Sequence, residues 1–389
     1  MDEEVADSTV CLRCGMPLAY DRAMLAEAVR QRDGLCSFCV DPRARPLLPY
    51  REAAWALDLV LRSYRDGGRA ARLLARLGRR LPLPLSAKAL CELLHMVPQR
   101  RDSRRFDAIV LYSGGKDSSF MLLDLAKRGL KLCAWMLNQG YQSQVAIDNA
   151  RRLCERLNVP LHIDKPEKKQ MDPLFRIGMG IKPGGPPAAV KAAMTYGSAC
   201  WPCFATIMAR ATRFAAENDV AFCFIGTQAG QNRLDVGTGL SIEGIIPRPE
   251  HLLEQFIGPI AGLAAAHAPD SASLLERFKV PETLLLPYYE FIKKPSPAEQ
   301  IAELSRNGWK MPNNTGACST NCMINELGRK VMRKRFGFDL YQIIEANERR
   351  LHGESTVAPS IAPLDGDAVE RGAAILRLTP DERVAYGLE

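Results

Sequence analysis

The chain has 389 residues, of which 47% are hydrophobic and 25% are charged. These values are typical of a protein with an apolar core, and they exclude a disordered polyelectrolyte, a collagen and a coiled-coil rod. The net charge of +8 is concentrated in residues 62–105, where 12 basic and 3 acidic side chains give +9, so the rest sums to about −1.

The first residues after Met1 are acidic, which is unlike a signal peptide, and no apolar run is long enough to span a bilayer. We therefore expect a cytoplasmic protein with no membrane partner. Twelve cysteines in a reducing compartment favour metal or thiol chemistry over disulfides.

Two Cys-x-x-Cys pairs open the chain, Cys11 with Cys14 and Cys36 with Cys39, with 21 residues between them. Four thiolates in this pattern suit tetrahedral Zn²⁺ in a closed, structural site. We therefore predict a zinc-ribbon-like, zinc-binding module over residues 1–45, whose folding depends largely on the metal because so short a segment has little core of its own.

A basic helical region follows at residues 46–105, with helices predicted over 50–65, 70–77 and 86–96. Arginines recur at spacings of three and four, which suits binding to a phosphate backbone. The alternatives are a solvated helix face or a face that docks on an acidic partner. The arginines concerned are Arg62, Arg65, Arg69, Arg72, Arg76, Arg79 and Arg80.

Strand and helix signals alternate over residues 106–240, which predicts βαβ units and an α/β fold with a parallel sheet and helices on both faces. The predicted strands are 106–112, 131–137, 160–163 and 220–226, and the predicted helices are 118–128, 145–157 and 195–218. Residues 241–352 form a helical C-terminal region that contains Cys318 and Cys322, although its first 60 residues allow no assignment of elements. Residues 353–389 carry 7 acidic and 3 basic side chains and form an acidic tail.

The most specific motif lies between the first predicted strand and the following helix. It comprises Ser113, Gly114, Gly115, Lys116, Asp117, Ser118 and Ser119. Glycines let backbone N–H groups approach an oxyanion, and the helix adds the positive end of its dipole. Lys116 adds a mobile positive charge, and Asp117 could hold Mg²⁺ on phosphate oxygens. The motif therefore predicts a pyrophosphate-binding loop.

Ser-Gly-Gly-Lys-Asp-Ser after a strand resembles the signature of the PP-loop ATP pyrophosphatases, or adenine nucleotide α-hydrolase-like proteins. The resemblance implies that ATP is cleaved between its α and β phosphates and that AMP activates a substrate oxygen. It also implies that the end of the second strand, Leu137 to Gln139 and so including Asn138, lies by the adenosine and that Gly226 adjoins the nucleotide. Many members carry two adjacent acids after the last strand of this unit, whereas this chain has Gln228 to Asn232 there, so the role of those acids is not carried over.

A second set of cysteines consists of Cys200 and Cys203, at the start of a predicted helix, and Cys318 and Cys322, more than a hundred residues further on. Since a helix N-terminus lowers the pKa of a thiol, we expect Cys200 and Cys203 to be thiolates. The spacing resembles that of the iron-sulfur tRNA thiotransferases. It implies a [4Fe-4S] cluster on three cysteines, although zinc on all four, or a persulfide on one, are alternatives.

These features predict an enzyme of the PP-loop ATP pyrophosphatase type: a transferase that adenylates a substrate oxygen and replaces it with sulfur. ATP, Mg²⁺ and Zn²⁺ are its expected cofactors, with the [4Fe-4S] cluster as a fourth. The catalytic candidates are Lys116, Asp117, Cys200, Cys203, Cys318 and Cys322.

The N-terminal cysteine pairs also resemble those of N-acetyl sugar amidotransferases, which would use ammonia from a glutaminase partner. The expected partners are therefore a sulfur donor or a glutaminase subunit, a tRNA or a small-molecule or sugar acceptor, and a second copy of the chain in a homodimer. A non-catalytic nucleotide-binding adaptor is the alternative from another class.

Overall fold

Five strands form one parallel sheet with the order β3-β2-β1-β4-β5. In this computed structural model the described residues are 9–24, 34–40, 54–78, 80–83, 85–227, 249–276, 283–316, 318–352 and 362–389. The strands are β1 (Ala108–Leu111), β2 (Leu132–Leu137), β3 (Leu161–Asp164), β4 (Phe222–Ile225) and β5 (Leu284–Pro287). The predicted α/β class and parallel sheet are confirmed.

The four predicted strands are confirmed to within two residues at most ends, but β5 was not predicted. It pairs with β4, with Phe222 opposite Leu284. Its sequence, Leu-Leu-Leu-Pro, is too short to show a period of two, and both of its faces are apolar. A buried parallel strand of this length cannot be distinguished from part of a helix by periodicity.

Eighteen α-helices occur among the described residues. Before β3 they are α1 (Leu18–Met24), α2 (Ser37–Val40), α3 (Ala54–Arg65), α4 (Arg69–Gly78), α5 (Leu85–Met96), α6 (Lys116–Ala126) and α7 (Gln144–Leu157). After β3 they are α8 (Lys168–Gly180), α9 (Pro187–Tyr196), α10 (Cys200–Glu217), α11 (Pro249–His267), α12 (Pro269–Ala272), α13 (Tyr288–Phe291), α14 (Pro297–Arg306), α15 (Asn325–Phe336), α16 (Leu340–His352), α17 (Gly366–Leu376) and α18 (Pro380–Tyr386).

Alternating residues of the strands feed two apolar cores, one on each face of the sheet. Ile109 and Leu111 of β1 belong to the core that contains α8 to α11, α15 and α16. Ala108 and Val110 belong to the other, which contains α3, α6 and α7. A strand buried on both faces has no polar alternation, which is why its sequence is a continuous apolar run.

The helix predicted over 195–218 is two helices, α9 and α10. Gly197, between them, has φ +87°, a backbone conformation that residues with a Cβ rarely adopt. The break ends α9 and starts α10 at Cys200, so the Cys200–Cys203 pair lies in the first turn of a helix, as predicted.

The N-terminal module packs against the core through α1. Tyr20 meets Phe338 edge to face, with ring centroids 6.0 Å apart, and the Thr195 hydroxyl lies 3.9 Å from the Met24 sulfur. None of the helices in the described part of the chain is long and apolar enough to cross a membrane.

Candidate active site

The Ser113–Ser119 loop lies at the carboxyl edge of the sheet, between β1 and α6. Strand β1 lies between β2 and β4. The chain runs from β1 to β2 on one side, whereas on the other side it runs from β4 outward to β5. Ligands of open α/β sheets bind in the crevice where the connections diverge in this way. Gly226 follows β4 into the same crevice, where a Cβ would lie 3.8 Å from Ser118 Cα. The predicted pyrophosphate loop therefore occupies the ligand-binding position of such a sheet.

The loop is closely fitted to its surroundings. Gly114 has φ +72°, and a Cβ there would lie 1.9 Å from the carbonyl oxygen of Ala146. The Trp309 indole N–H donates to the Gly114 carbonyl at 2.9 Å, and the hydroxyls of Ser113 and Ser118 are 3.0 Å apart. These contacts fix the backbone of the loop before any ligand arrives.

Lys116 and Asp117 join a charged cluster to which the C-terminal half of the chain contributes. Lys116 Nζ lies 2.5 Å from Asp117 Oδ1 and 2.5 Å from Gln300 Oε1, and Lys294 Nζ lies 3.3 Å from Asp117 Oδ2. Burial raises the pKa of Asp117, but the charges of Lys294 and Lys116 lower it by more, so the net shift is downward. Asp117 is therefore held as a carboxylate.

The sequence analysis missed Lys294 and Gln300. Both follow β5, in the part of the chain to which no element could be assigned. Lys294 lies beyond the carboxyl end of that strand, where a parallel sheet places its ligand-binding residues. If β5 had been recognised in the sequence, the residues after its carboxyl end would have been candidates for the site.

The segment Ser319–Cys322 crosses the pyrophosphate loop. Thr320 Oγ1 accepts the backbone N–H of Lys116 at 2.8 Å. The same segment pairs with the loop after β2: Ser143 N–H donates to the Asn321 carbonyl at 2.8 Å, and Gln142 forms an antiparallel bridge with Cys322. One segment thus connects the loop to the second set of cysteines.

A cavity of 290 Å³ joins the loop to three of these cysteines. Ser113 and Ser118 line it at one end, and Cys200, Cys203 and Cys322 line it as well. Its walls also include, among the predicted nucleotide-binding residues, Leu137 and Gly226. Two serines of the predicted phosphate-binding loop and three of the predicted sulfur-bearing cysteines therefore share one space.

Two residues of the β2 loop differ in their relation to this cavity. Asn138 does not line it; its side-chain Oδ1 accepts the Gly140 N–H at 3.1 Å. Gln139 does line it and is 1% exposed, and its Oε1 is buried without a hydrogen-bond partner among the described residues. The resemblance had implied a place by the nucleotide for Gln139, and its unpaired acceptor is available to a ligand donor. Gln228 to Asn232 lie outside the described residues.

The expectation that Cys200 and Cys203 are thiolates is wrong for the metal-free protein. Burial raises the pKa of Cys200 to about 11 and that of Cys203 well above its usual value. Burial also raises the pKa of Cys322, to about 12. Desolvation outweighs the effect of the helix N-terminus at Cys200 and Cys203, and it raises the pKa of Cys322 as well. A coordinated metal would reverse this, since it deprotonates the thiols that bind it.

Cys318 does not line the cavity with the other three. It adjoins a buried ionic network, in which Arg329 pairs with Glu326 at 2.8 Å and with Asp339 at 3.2 Å. Burial raises the pKa of Cys318 to about 11, while the charge of Arg329 opposes the rise. Of the two candidates for the distant thiol, the structure brings Cys322 to Cys200 and Cys203.

The two cysteine sets have different geometries. The four N-terminal sulfurs lie within 4.8 Å of one another, and those of Cys14 and Cys36 are 3.6 Å apart. Four ligands at a Zn–S distance near 2.3 Å place their sulfurs about 3.8 Å apart, so this set fits tetrahedral Zn²⁺. Over the described residues no other group of three or more donors is as compact. The second set is thus not among the preformed groups of this kind in the described residues.

No protein-family model and no curated protein matches the chain. Its structural neighbours include NMN synthetase from Francisella tularensis, with 12% identity, a TM-score of 0.28, and 72% of this chain and 87% of that one covered. They also include the U34-tRNA thiolase NcsA from Methanococcus maripaludis with its [4Fe-4S] cluster, with 15% identity, a TM-score of 0.30, and 95% and 97% covered. Both TM-scores are low, so functional conclusions come from the chain's own residues.

Proposed function

We propose that the protein is an ATP-dependent transferase that adenylates an oxygen of its substrate and replaces that oxygen with sulfur. One observation carries the proposal: the cavity lined by Ser113 and Ser118 of the loop also contains the thiols of Cys200, Cys203 and Cys322. An activated substrate bound by the loop would lie within reach of a sulfur atom held at these cysteines.

In the first step a substrate oxygen attacks the α phosphorus of ATP, the bond between the α phosphorus and the bridging oxygen breaks, and pyrophosphate leaves. The loop binds the leaving pyrophosphate through backbone N–H groups and the two serine hydroxyls. Lys116 and Lys294 stabilise its growing negative charge, and Asp117 is the carboxylate that would hold Mg²⁺. In the second step a sulfur nucleophile adds to the activated carbon, and AMP departs with the original oxygen.

The second cysteine set fits a [4Fe-4S] cluster. Three cysteines line one cavity, and Asn325 Nδ2 lies 3.6 Å from Cys200 Sγ as a hydrogen-bond donor to the sulfur. Held by Cys200, Cys203 and Cys322, the cluster would supply an iron without a protein ligand, at which a sulfur donor binds. The acceptor in this proposal is a carbonyl group of a tRNA base or of a small molecule.

Two measurements test the proposal. Pyrophosphate release from ATP should be lost in Lys116→Ala with the fold intact, and its persistence would contradict the role of the loop. Protein purified without oxygen should contain iron and labile sulfide, which Cys203→Ser removes and the core substitution Cys154→Ser does not. Absence of both elements, with two equivalents of zinc, would exclude the cluster.

Amidation of an activated sugar with ammonia is the second candidate. The observation in its favour is the compact N-terminal quartet of Cys11, Cys14, Cys36 and Cys39, whose two pairs resemble those of the sugar amidotransferases. Comparison of sulfide with ammonia as the nucleophile that accelerates AMP formation separates the two reactions. Acceleration by ammonia alone would replace sulfur transfer with amidation.

A further inference from the structure

Helix α4 has its small residues toward the protein and its large apolar residues toward solvent. Ala75 and Gly78 are buried, and α4 packs on α5 so closely that a Cβ at Gly78 would lie 2.6 Å from the Cys91 sulfur. This is the reverse of a core helix, in which leucines fill the interior. The small residues of α4 thus make its packing contacts within the protein, and the opposite face, with its leucines, is available for contact with a partner.

The outer surface of α4 and its C-terminal extension carries four leucines, which we call the leucine face. Leu73 is 59% exposed, Leu74 68%, Leu77 53% and Leu81 52%. Single exposed leucines are ordinary, but four within nine residues form a patch of the kind that marks an interaction surface.

Exposed arginines flank the leucine face. Arg76 and Arg80 lie within it in sequence, and Arg62 and Arg65 are exposed at the end of the preceding helix. Arg72, by contrast, donates to the carbonyl oxygens of Val97 and Gly67. The partner of this surface must therefore be apolar and anionic at once.

Four kinds of partner are compared for this surface: nucleic acid, a second copy of the chain, a protein with a helix-binding groove, and an anionic bilayer. The bilayer fits best. Nucleic acid gains nothing from four leucines, which neither donate hydrogen bonds nor stack on bases. A second copy would bring its own arginines to the same place. A hydrophobic protein groove takes the apolar face of a helix, and here it would have to desolvate the exposed Arg76 and Arg80 together with the leucines. An anionic bilayer accepts a half-exposed helix, leucines in the acyl boundary and arginines at the lipid phosphates.

We infer that the leucine face docks on the surface of an anionic lipid bilayer. The sequence alone led us to expect no membrane partner, because the arginine spacing is visible in it but the outward orientation of the leucines is not. The inference is independent of the proposed function, since no residue of the cavity belongs to α3 or α4. It places the protein at a membrane surface through one exposed helix face.

Co-sedimentation of the full chain with vesicles tests the inference. We expect binding to mixed phosphatidylcholine and phosphatidylglycerol vesicles at physiological salt, and little binding to phosphatidylcholine alone. Leu73→Ser and Leu77→Ser should each lower the partition coefficient by about tenfold or more, the loss expected for a leucine side chain. Arg76→Gln should also lower the partition coefficient, and vesicle binding by this variant should depend less strongly on salt concentration. All of these side chains are exposed, so the variants should fold.

Matched controls come from other surfaces. Val384→Ser removes an apolar side chain that is 59% exposed on α18, and Arg151→Gln removes an exposed cation on α7; neither should change vesicle binding. Absence of binding by the unsubstituted protein, or equal binding by the leucine variants, would overturn the inference. So would tRNA binding that needs Arg76 but not Leu77 in place of lipid binding, or a dimer in sedimentation velocity that Leu77→Ser dissociates.

Discussion

Asp117 is held between two lysines, Lys116 from α6, which follows the central strand β1, and Lys294 from the segment after the edge strand β5. A carboxylate in this position can keep its charge at low pH because protonation would leave two partly buried cations without their carboxylate partner. Its ionisation is therefore a property of the assembled site and not of the motif alone.

Lys294→Met should slow pyrophosphate release by roughly tenfold or more, the usual effect of losing a hydrogen bond to a charged group. The pKa of Asp117 should rise toward its ordinary value, because one of the two charges that lower it is gone. Since only the carboxylate is active, the acidic limb of the pH-rate profile should move to higher pH. The exposed neighbour gives the control: Lys293→Met should leave both rate and profile unchanged, and an unshifted limb in Lys294→Met would contradict the pairing.

Gly114→Ala should destabilise the fold by about 3 kcal/mol, because the new Cβ meets the Ala146 carbonyl and the positive φ is strained as well. Gly184 isolates the second contribution, since its φ is +84° but no atom lies within 4 Å of an added Cβ. Gly184→Ala should therefore cost about 1 kcal/mol. Urea unfolding gives the free energy of unfolding of both variants. Equal losses of stability would show that the loop shifts to accommodate the Cβ at little cost.

The Ser319–Cys322 segment acts as a short added strand along the loop after β2. Its Asn321 carbonyl accepts the Ser143 N–H, and the next residue, Met323, donates its N–H to the Tyr141 carbonyl, while Thr320 attaches the segment to α6 by accepting the Lys116 N–H. Because Cys322 ends this segment, the positions of the thiol and of the pyrophosphate loop are mechanically linked.

Thr320→Val preserves the shape of the side chain but removes the acceptor. The unpaired N–H of Lys116 should cost about 1–3 kcal/mol, and the loosened segment should expose Cys322. We expect faster alkylation of Cys322 by iodoacetamide, measured by mass spectrometry, together with the lower stability. Thr206→Val on α10, which removes a hydroxyl bond to the Pro202 carbonyl, is the matched control. Accelerated alkylation in that variant too would indicate general destabilisation and not the proposed link.

At the scale of the whole molecule, the sequence predicts what is local. Four of the five strands and the pyrophosphate loop follow from apolar runs and a motif, and both cysteine pairs of the N-terminal module are spaced for one metal ion. Contacts between distant parts of the chain cannot be predicted from the sequence in this way. Strand β5 is too short to show a period of two, and Lys294 is separated from Asp117 by 176 intervening residues. The pKa of Cys200 was mispredicted for the same reason, because the first turn of a helix is visible in the sequence and burial is not.

The N-terminal module should depend on its metal while the sheet does not. Its fold rests on short turns around the four thiols, supplemented by the buried Asp21, whose carboxylate accepts the Ser37 N–H at 2.9 Å. Cys36→Ser should lower the zinc content by one equivalent, since three sulfurs leave the tetrahedron open. Amide hydrogen exchange should then accelerate over residues 9–24 and 34–40 but not over β1, whose bonds to β2 and β4 do not involve the module. Cys91→Ser, outside the quartet, should change neither zinc content nor exchange. If the module kept its protection in zinc-free Cys36→Ser, packing of Tyr20 on Phe338 would be sufficient to fold it. The cysteine quartet would then bind a metal ion that folding of the module does not require.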